Sequence, residues 1–292
     1  MLGTVEIRPA LFRRAFFVAA ALLGAAGGVI AAPPTRSEAP LAQVGKPDAA
    51  EAARILEQFR RSGWDGYVEF NLRALPHRKR EIVYQGRLWG GSNEQGAIIR
   101  IELKDTGGTV HRFLLQNGEQ AAVWRSTGGM VSQVEPGALM QPLIPGVEIT
   151  PFDLQMPFLY WPGVEVESVA RVRGRPAYVF AFAPPAAFGT RNPNLKRVRA
   201  YFDAQFNAPL QVDLMAARDV MKTTTLKDLK KVGEEWIPKS FDIRNNLTRD
   251  KTRFEVTAAA LRLEFAPTVF SPAHLNEDVR APAADRLVRI AP

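Results

Sequence analysis

The chain of 292 residues contains no cysteine. That excludes disulfides, thiolate metal sites, cysteine nucleophiles and a lipid-modified N-terminal cysteine. Histidine is nearly as scarce: His77, His111 and His274 lie far apart, with no H-E-x-x-H among them. G-x-S-x-G, a Walker phosphate loop, a dinucleotide fingerprint and D-x-D-x-D spacing are also missing. The acidic residues are scattered along alternating segments. Such sparse catalytic apparatus points to a binding protein, not an enzyme, with no cofactor and no metal.

Long apolar runs are equally rare. The clearest covers residues 15–26, behind Arg8, Arg13 and Arg14, with Val29-Ile30-Ala31 before Ala32-Pro33. A basic start, a short apolar run and small residues at its end make a secretory signal peptide over residues 1–31. The run is too short for a comfortable membrane span. The mature protein is expected to be soluble in the periplasm. Removing residues 1–31 takes three basic residues and one acidic one, lowering the net charge from +8 to +6. That mild excess fits weak, transient contact with anionic headgroups. Secretion separates the protein from nucleic acid.

Residues 32–47 hold Pro33, Pro34, Pro40 and Pro47 and read as a flexible leader. A helix follows. Asp48 caps it, with Glu51 three residues on. Ala52, Ile55, Leu56 and Phe59 share one face, Arg60 and Arg61 sit in the last turn, and Gly63 ends it. Strands then dominate. Val68, Phe70 and Leu72 alternate with polar residues, as do Ile82, Tyr84 and Leu88, and Ile99, Ile101 and Leu103. The spacing predicts turns at residues 75–80, 90–93 and 105–108, and a hairpin closed at Asn117-Gly118. Another hairpin turns at Gly174, and Pro184, Pro185, Gly189 and Pro193 predict a loop over residues 184–194. In the last strand the apolar phase shifts from Phe254 and Val256 to Leu261, Leu263 and Phe265, which calls for a bulge near Ala258-Ala259-Ala260.

About ten to twelve strands joined by short turns make an antiparallel meander, and a sheet that long must curl or close. The expected fold is mainly β with few helices: a strongly curved, unclosed antiparallel barrel. The N-terminal helix and a mid-chain apolar lid segment would lie in its concavity. The half-barrel is assigned to residues 48–278 and a C-terminal tail to residues 279–292.

That mid-chain segment, residues 150–163, reads T-P-F-D-L-Q-M-P-F-L-Y-W-P-G. Pro151, Pro157 and Pro162 prevent a long helix or strand through it. Its apolar side chains, including Phe152, Leu154, Phe158, Leu159 and Trp161, either fill a core or cover a cavity. The strands supply matching bulk in Phe70, Trp89, Ile99, Ile101, Phe113, Trp124, Phe180, Phe182 and Phe202. These read as packed core or as the lining of an apolar ligand site. The basic turn His77-Arg78-Lys79-Arg80 reads as a solvated tip or as a contact for an acidic partner or anionic membrane.

In order, the elements resemble the LolA-like family of periplasmic lipoprotein carriers, especially outer-membrane lipoprotein-sorting proteins. The resemblance runs over residues 48–275. It is carried by the capped helix, Gly66-Tyr67-Val68-Glu69-Phe70, Gln85-Gly86-Arg87-Leu88-Trp89, Leu115-Gln116-Asn117-Gly118 leading to Val123-Trp124, the apolar mid-chain segment, Gly174-Arg175-Pro176-Ala177-Tyr178, Glu235-Trp236-Ile237-Pro238 and Phe270-Ser271-Pro272. It implies an unclosed barrel under a helical lid, holding acyl chains of lipoproteins or another lipid. It also implies a monomeric carrier passing cargo between inner- and outer-membrane transfer proteins. Those carriers latch the lid with an arginine followed by proline in an early strand. Here the strand reads Ala97-Ile98-Ile99-Arg100-Ile101-Glu102-Leu103, and Arg100 is the candidate polar latch.

Energetics suit a lid. Exposing a ~16-carbon acyl chain costs about 13 kcal/mol at ~0.8 kcal/mol per methylene. Five or six large lid side chains at ~1.5–3 kcal/mol each sum to the same order. An envelope sensor or adaptor binding a protein segment is the alternative on the same fold, and a secreted hydrolase a third reading.

Overall fold

The structure, a computed structural model, describes residues 44–60 and 64–291. The signal peptide, most of the leader, Arg61 and the helix stop at Gly63 lie outside the described residues. Helix α1, Ala49–Arg60, begins as its sequence dictates: the Glu51 N–H donates to Asp48 Oδ1 at 2.7 Å. Its apolar face, Ala52, Ile55, Leu56 and Phe59, is buried.

The strands are β1 (Gly66–Leu75), β2 (Ile82–Asn93), β3 (Gly96–Lys104), β4 (Val110–Gln116), β5 (Ala122–Thr127) and β6 (Met130–Gln133). After the crossing segment come β7 (Glu165–Val172), β8 (Arg175–Phe182), β9 (Arg197–Asp203), β10 (Pro209–Met215), β11 (Val220–Val232), β12 (Glu235–Asn245), β13 (Lys251–Leu261) and β14 (Val288–Arg289). They form one sheet in the order β6-β5-β4-β3-β2-β1-β13-β12-β11-β10-β9-β8-β7, with β14 beside β13. Each pairing is antiparallel. Two meanders therefore meet at a β1–β13 seam, and β6 and β7 are left as edges that do not pair with each other. The sheet is a curled, unclosed barrel, as the alternation predicts.

Its curl brings both meanders onto one apolar cluster, where Phe113 of β4 and Phe180 of β8 are buried together with Phe59 of α1. A Phe59–Phe202 ring contact at 4.9 Å seats the helix. At the seam three rings stack across the strands: Phe70 on Phe254 at 4.4 Å, and Phe254 on Phe241 at 4.7 Å. The bulge expected in β13 falls at Thr257, since Glu69 pairs with Ala258 and Phe70 with Val256. Leu261, Leu263 and Phe265 do not share a face, however. The strand ends at Leu261, Arg262 adopts φ +57°, and Leu263 and Phe265 pack on the opposite side of the sheet from Leu261.

Two other expectations change. Gly90 and Gly91 do not form a turn. They lie inside β2, which continues to Asn93. A Cβ at Gly90 would come within 2.0 Å of Trp64, and one at Gly91 within 2.6 Å of Phe270. The glycines are there so that a ring can lie on each face of the strand. Residues 184–194 are not all loop. They contain helix α3, Ala186–Arg191, started by Pro184-Pro185.

Replacing Phe254 by Ala should empty the middle of the seam stack. It is expected to lower unfolding free energy by about 3–5 kcal/mol in urea titration. A loss below about 1 kcal/mol would show that the stack does not hold the two meanders together.

Candidate functional site

Residues 134–164 connect β6 to β7, the two edges of the sheet. The chain thus passes from one margin of the open barrel to the other across its concave face. Within it, helix α2 (Pro151–Gln155) is followed by a 3-10 turn, Pro157–Tyr160. Thr150 caps α2 by a reciprocal box with Asp153: the Asp153 N–H donates to Thr150 Oγ1 at 3.2 Å, and Asp153 Oδ2 accepts from the Thr150 N–H at 2.8 Å. Met156, at φ +47°, reverses the chain between the two short helices. This break lets Phe152, Leu154, Phe158 and Leu159 all point into the concavity, which one continuous helix could not do.

The packing is aromatic. Phe158 meets Phe182 at 5.2 Å and Phe152 at 6.0 Å. Phe188 of α3 meets Phe152 at 5.6 Å and Trp161 at 5.2 Å. Phe152 and Phe158 are fully enclosed, with 0% and 1% exposure.

Polar tethers fasten the segment along its margins. Lys222 Nζ of β11 lies 2.5 Å from Asp153 Oδ2, with the Asp153 side chain almost wholly enclosed and that of Lys222 largely so. Gln155 Nε2 donates to the Gln116 carbonyl at 2.7 Å and to that of Ala122 at 3.3 Å, binding α2 to the β4–β5 turn. Arg60 Nε donates to the Leu159 carbonyl at 2.6 Å, and Tyr160 Oη donates to the Arg60 carbonyl at 3.0 Å, binding the 3-10 turn to α1. Earlier in the segment, the Glu148 N–H donates to Thr252 Oγ1 at 2.7 Å and Tyr84 Oη donates to the Pro145 carbonyl at 3.3 Å. Burial pushes the Glu148 carboxyl above its ordinary range, with a hydrogen bond from Asn245 opposing it.

The structure brings together Phe70, Ile99, Ile101, Phe113, Phe152, Leu154, Phe158, Leu159, Trp161, Phe180, Phe182 and Phe202 in one buried cluster on the concave side. Trp89 and Trp124 are not with them. Trp89 packs on Tyr67 at 5.3 Å in a separate cluster on the convex side, and Trp124 lies against Ile98, Leu114 and Leu275, also convex. The reason is the pleat: Leu88 and Val123 face inward, so their successors must face outward.

Arg100 is displaced for the same reason. It alternates with inward-facing Ile99 and Ile101, and so lies on the convex face, away from the lid. Its guanidinium is 0% exposed. It donates to the carbonyls of His274 at 3.2 Å, Leu275 at 3.1 Å and Glu277, and to Glu102 Oε1 at 3.1 Å. Burial lowers its pKa and Glu102 opposes that shift. Glu102 in turn accepts from Arg87 at 2.7 Å and Arg112 at 3.3 Å. Arg100 is therefore a latch, but for the C-terminal segment. That segment runs across the convex face and ends with β14 on β13 and a buried Ile290, so residues 279–291 pack on the barrel.

Phe188, Lys222 and Gln155 were not foreseen as site residues. A phenylalanine two residues after α3 begins was a usable signal for the first. Nothing in the threonine- and lysine-rich β11 marks Lys222 from its neighbours. His111, one of the three scattered histidines, lies 2.9 Å from Asp105 Oδ2 across the β3–β4 turn, and this hydrogen bond holds the Asp105 carboxyl below its usual range.

Two substitutions separate the two covers. Arg100→Met should cost about 3–5 kcal/mol, because it leaves several buried carbonyls without a donor and takes from buried Glu102 one of its three arginine partners. Amide exchange should rise over residues 266–277 while residues 150–161 stay protected. Faster exchange in the lid instead would return Arg100 to the role of lid latch. Lys222→Met should do the reverse, raising exchange over residues 150–161 at a cost of about 1–3 kcal/mol, since the capping box still holds Asp153.

A family model described only as an uncharacterized protein matches residues 163–277. No curated protein matches the chain. Among solved structures, an outer membrane lipoprotein-sorting protein domain from Vibrio parahaemolyticus superposes with a TM-score of 0.68 at 15% identity, over 78% of this chain and 97% of that one. A DUF1329 family protein from Desulfovibrio piger gives 0.65 at 12%, over 79% and 100%. A LolA superfamily protein from Nitrosomonas europaea gives 0.58 at 14%, over 75% and 97%. The chain carries the LolA-like fold.

Proposed function

We propose that the concave face binds acyl chains, of lipoproteins or of another lipid, when residues 150–163 swing aside, and that the protein carries this cargo through the periplasm towards the outer membrane. The observation that carries this reading is the crossing segment. It covers an open apolar trough with broken, non-directional packing and is fastened mainly at its rims. Large side chains such as Phe152 and Phe158 each contribute about 1.5–3 kcal/mol when buried. An acyl chain would recover the same kind of energy on the same surface at ~0.8 kcal/mol per methylene. Cargo can therefore replace lid with little net change, which a carrier needs both to load and to release. The superposed lipoprotein-sorting domain supports the reading through its fold.

The test is direct. Protein purified from envelope extracts should yield lipid on organic extraction, and the purified chain should bind a fluorescent fatty-acyl probe that stearic acid displaces. Absence of both sinks the proposal. Phe158→Asp should open the lid and strengthen probe binding several-fold while the main thermal transition persists. Collapse of that transition would place Phe158 in a permanent core.

A further inference from the structure

The β12–β13 turn carries a leucine for which the turn itself has no use. Leu247 is 72% exposed. Around it the turn is closely bonded. Asn245 Oδ1 accepts from the N–H groups of Leu247 at 3.0 Å and Thr248 at 3.2 Å, and the Arg249 N–H donates to the Asn245 carbonyl at 2.9 Å. Asn246 Nδ2 donates to Thr223 Oγ1 at 3.0 Å, which ties the turn to β11. The tip is thus held in one shape with an apolar side chain at its apex.

An isolated exposed leucine is ordinary; the surroundings of this one are not. Asp250 Oδ1 accepts from the His77 N–H at 2.6 Å, which joins this turn to the basic turn between β1 and β2. Arg78, Lys79 and Arg80 on that turn are exposed, as is Arg249 beside Leu247. Ile82, where β2 leaves the same turn, is 38% exposed. Of the acidic groups nearby, Glu81 is paired with Arg73 at 2.6 Å, and Asp250, less exposed than the cations around it, keeps its charge at the base of the turns. The result is an apolar point within a collar of four exposed cations, which outnumber the one unpaired carboxylate of Asp250. This end of the barrel is also where Tyr84 and Thr252 hold residues 145–148 of the crossing segment.

We propose that these two turns dock the protein on an anionic lipid surface. Leu247 enters below the headgroups, and Arg78, Lys79, Arg80 and Arg249 meet lipid phosphates. A soluble acidic partner would satisfy the cations but leave the rigidly presented leucine without a role. A bilayer satisfies both, and cationic side chains near its surface each add to binding. The inference is independent of what the concave face holds, because docking is read on vesicles without any cargo.

The experiment is flotation of the mature chain with vesicles of phosphatidylcholine alone and of phosphatidylcholine mixed with phosphatidylglycerol. The wild type should float with the anionic vesicles, less so as salt rises, and not with the neutral ones. Leu247→Asp should weaken this binding, and the triple variant Arg78→Glu, Lys79→Glu, Arg80→Glu should weaken it by at least about tenfold. Both should keep the wild-type melting temperature and acyl-probe binding. Failure of the wild type to float overturns the proposal. So does flotation of Leu247→Asp equal to wild type with only the charge variant impaired, which would instead describe an electrostatic site for an acidic protein.

Discussion

An antiparallel sheet that curls without closing leaves an apolar trough that its own strands cannot cover. The two free edges, β6 and β7, are on opposite margins, and the chain must still travel between them. One segment answers both requirements, since the crossing from edge to edge is also the cover. That is why residues 150–163 are apolar and also broken by proline. A cover made as a strand would close the barrel, and one made as a long helix would present only a single stripe to a surface that curves around it. Two short helical pieces, joined at the left-handed Met156, follow the curve.

The convex face is solved by different chemistry. Its cover is the C-terminal segment, and Arg100 fixes it through carbonyls in consecutive turns of that segment together with the carboxylate of Glu102. The two terminal nitrogens of this buried guanidinium are satisfied by those carbonyls and Glu102, so its position dictates where the carbonyls go, although its Nε has no partner. Trp89 lies beneath the same segment with Arg100 6.0 Å from its ring centroid. Strand β3 thus serves two layers at once, with Ile99 and Ile101 under the lid and Arg100 under the C-terminal segment.

The strands, their turns at Asn117-Gly118 and Gly174, the α1 cap and the concave assignment of Phe70, Phe113 and Phe180 were all legible from alternation and capping. The misplacement of Trp89, Trp124 and Arg100 was avoidable in physical terms, because each directly follows an inward residue and a period of two permits no exception without a bulge. Size drew them inward when phase should have decided. Gly90-Gly91 misled for another reason. Glycine marks close approach as well as turns, and only the positions of Trp64 and Phe270 distinguish the two. The Lys222–Asp153 pair, separated by 69 residues, depends on register between elements that no local pattern reports.

The two covers differ in what could replace them. Carbonyls held by a buried arginine are directional and charge-assisted, and a hydrocarbon chain offers nothing to take their place. The C-terminal cover therefore has no apolar competitor. The lid's interior contacts are ring against ring and methyl against ring, and these are indifferent to whether the partner is a phenylalanine or a methylene chain. Its directional bonds to the barrel and α1 come from Asp153, Gln155, Leu159 and Tyr160, which lie where the segment meets β11, the β4–β5 turn and α1. A cover with exchangeable packing inside and a few polar fastenings at its rim is stable when empty and replaceable when an apolar competitor arrives. Moving those fastenings inward, or replacing them by buried apolar contacts, would turn the same segment into permanent core.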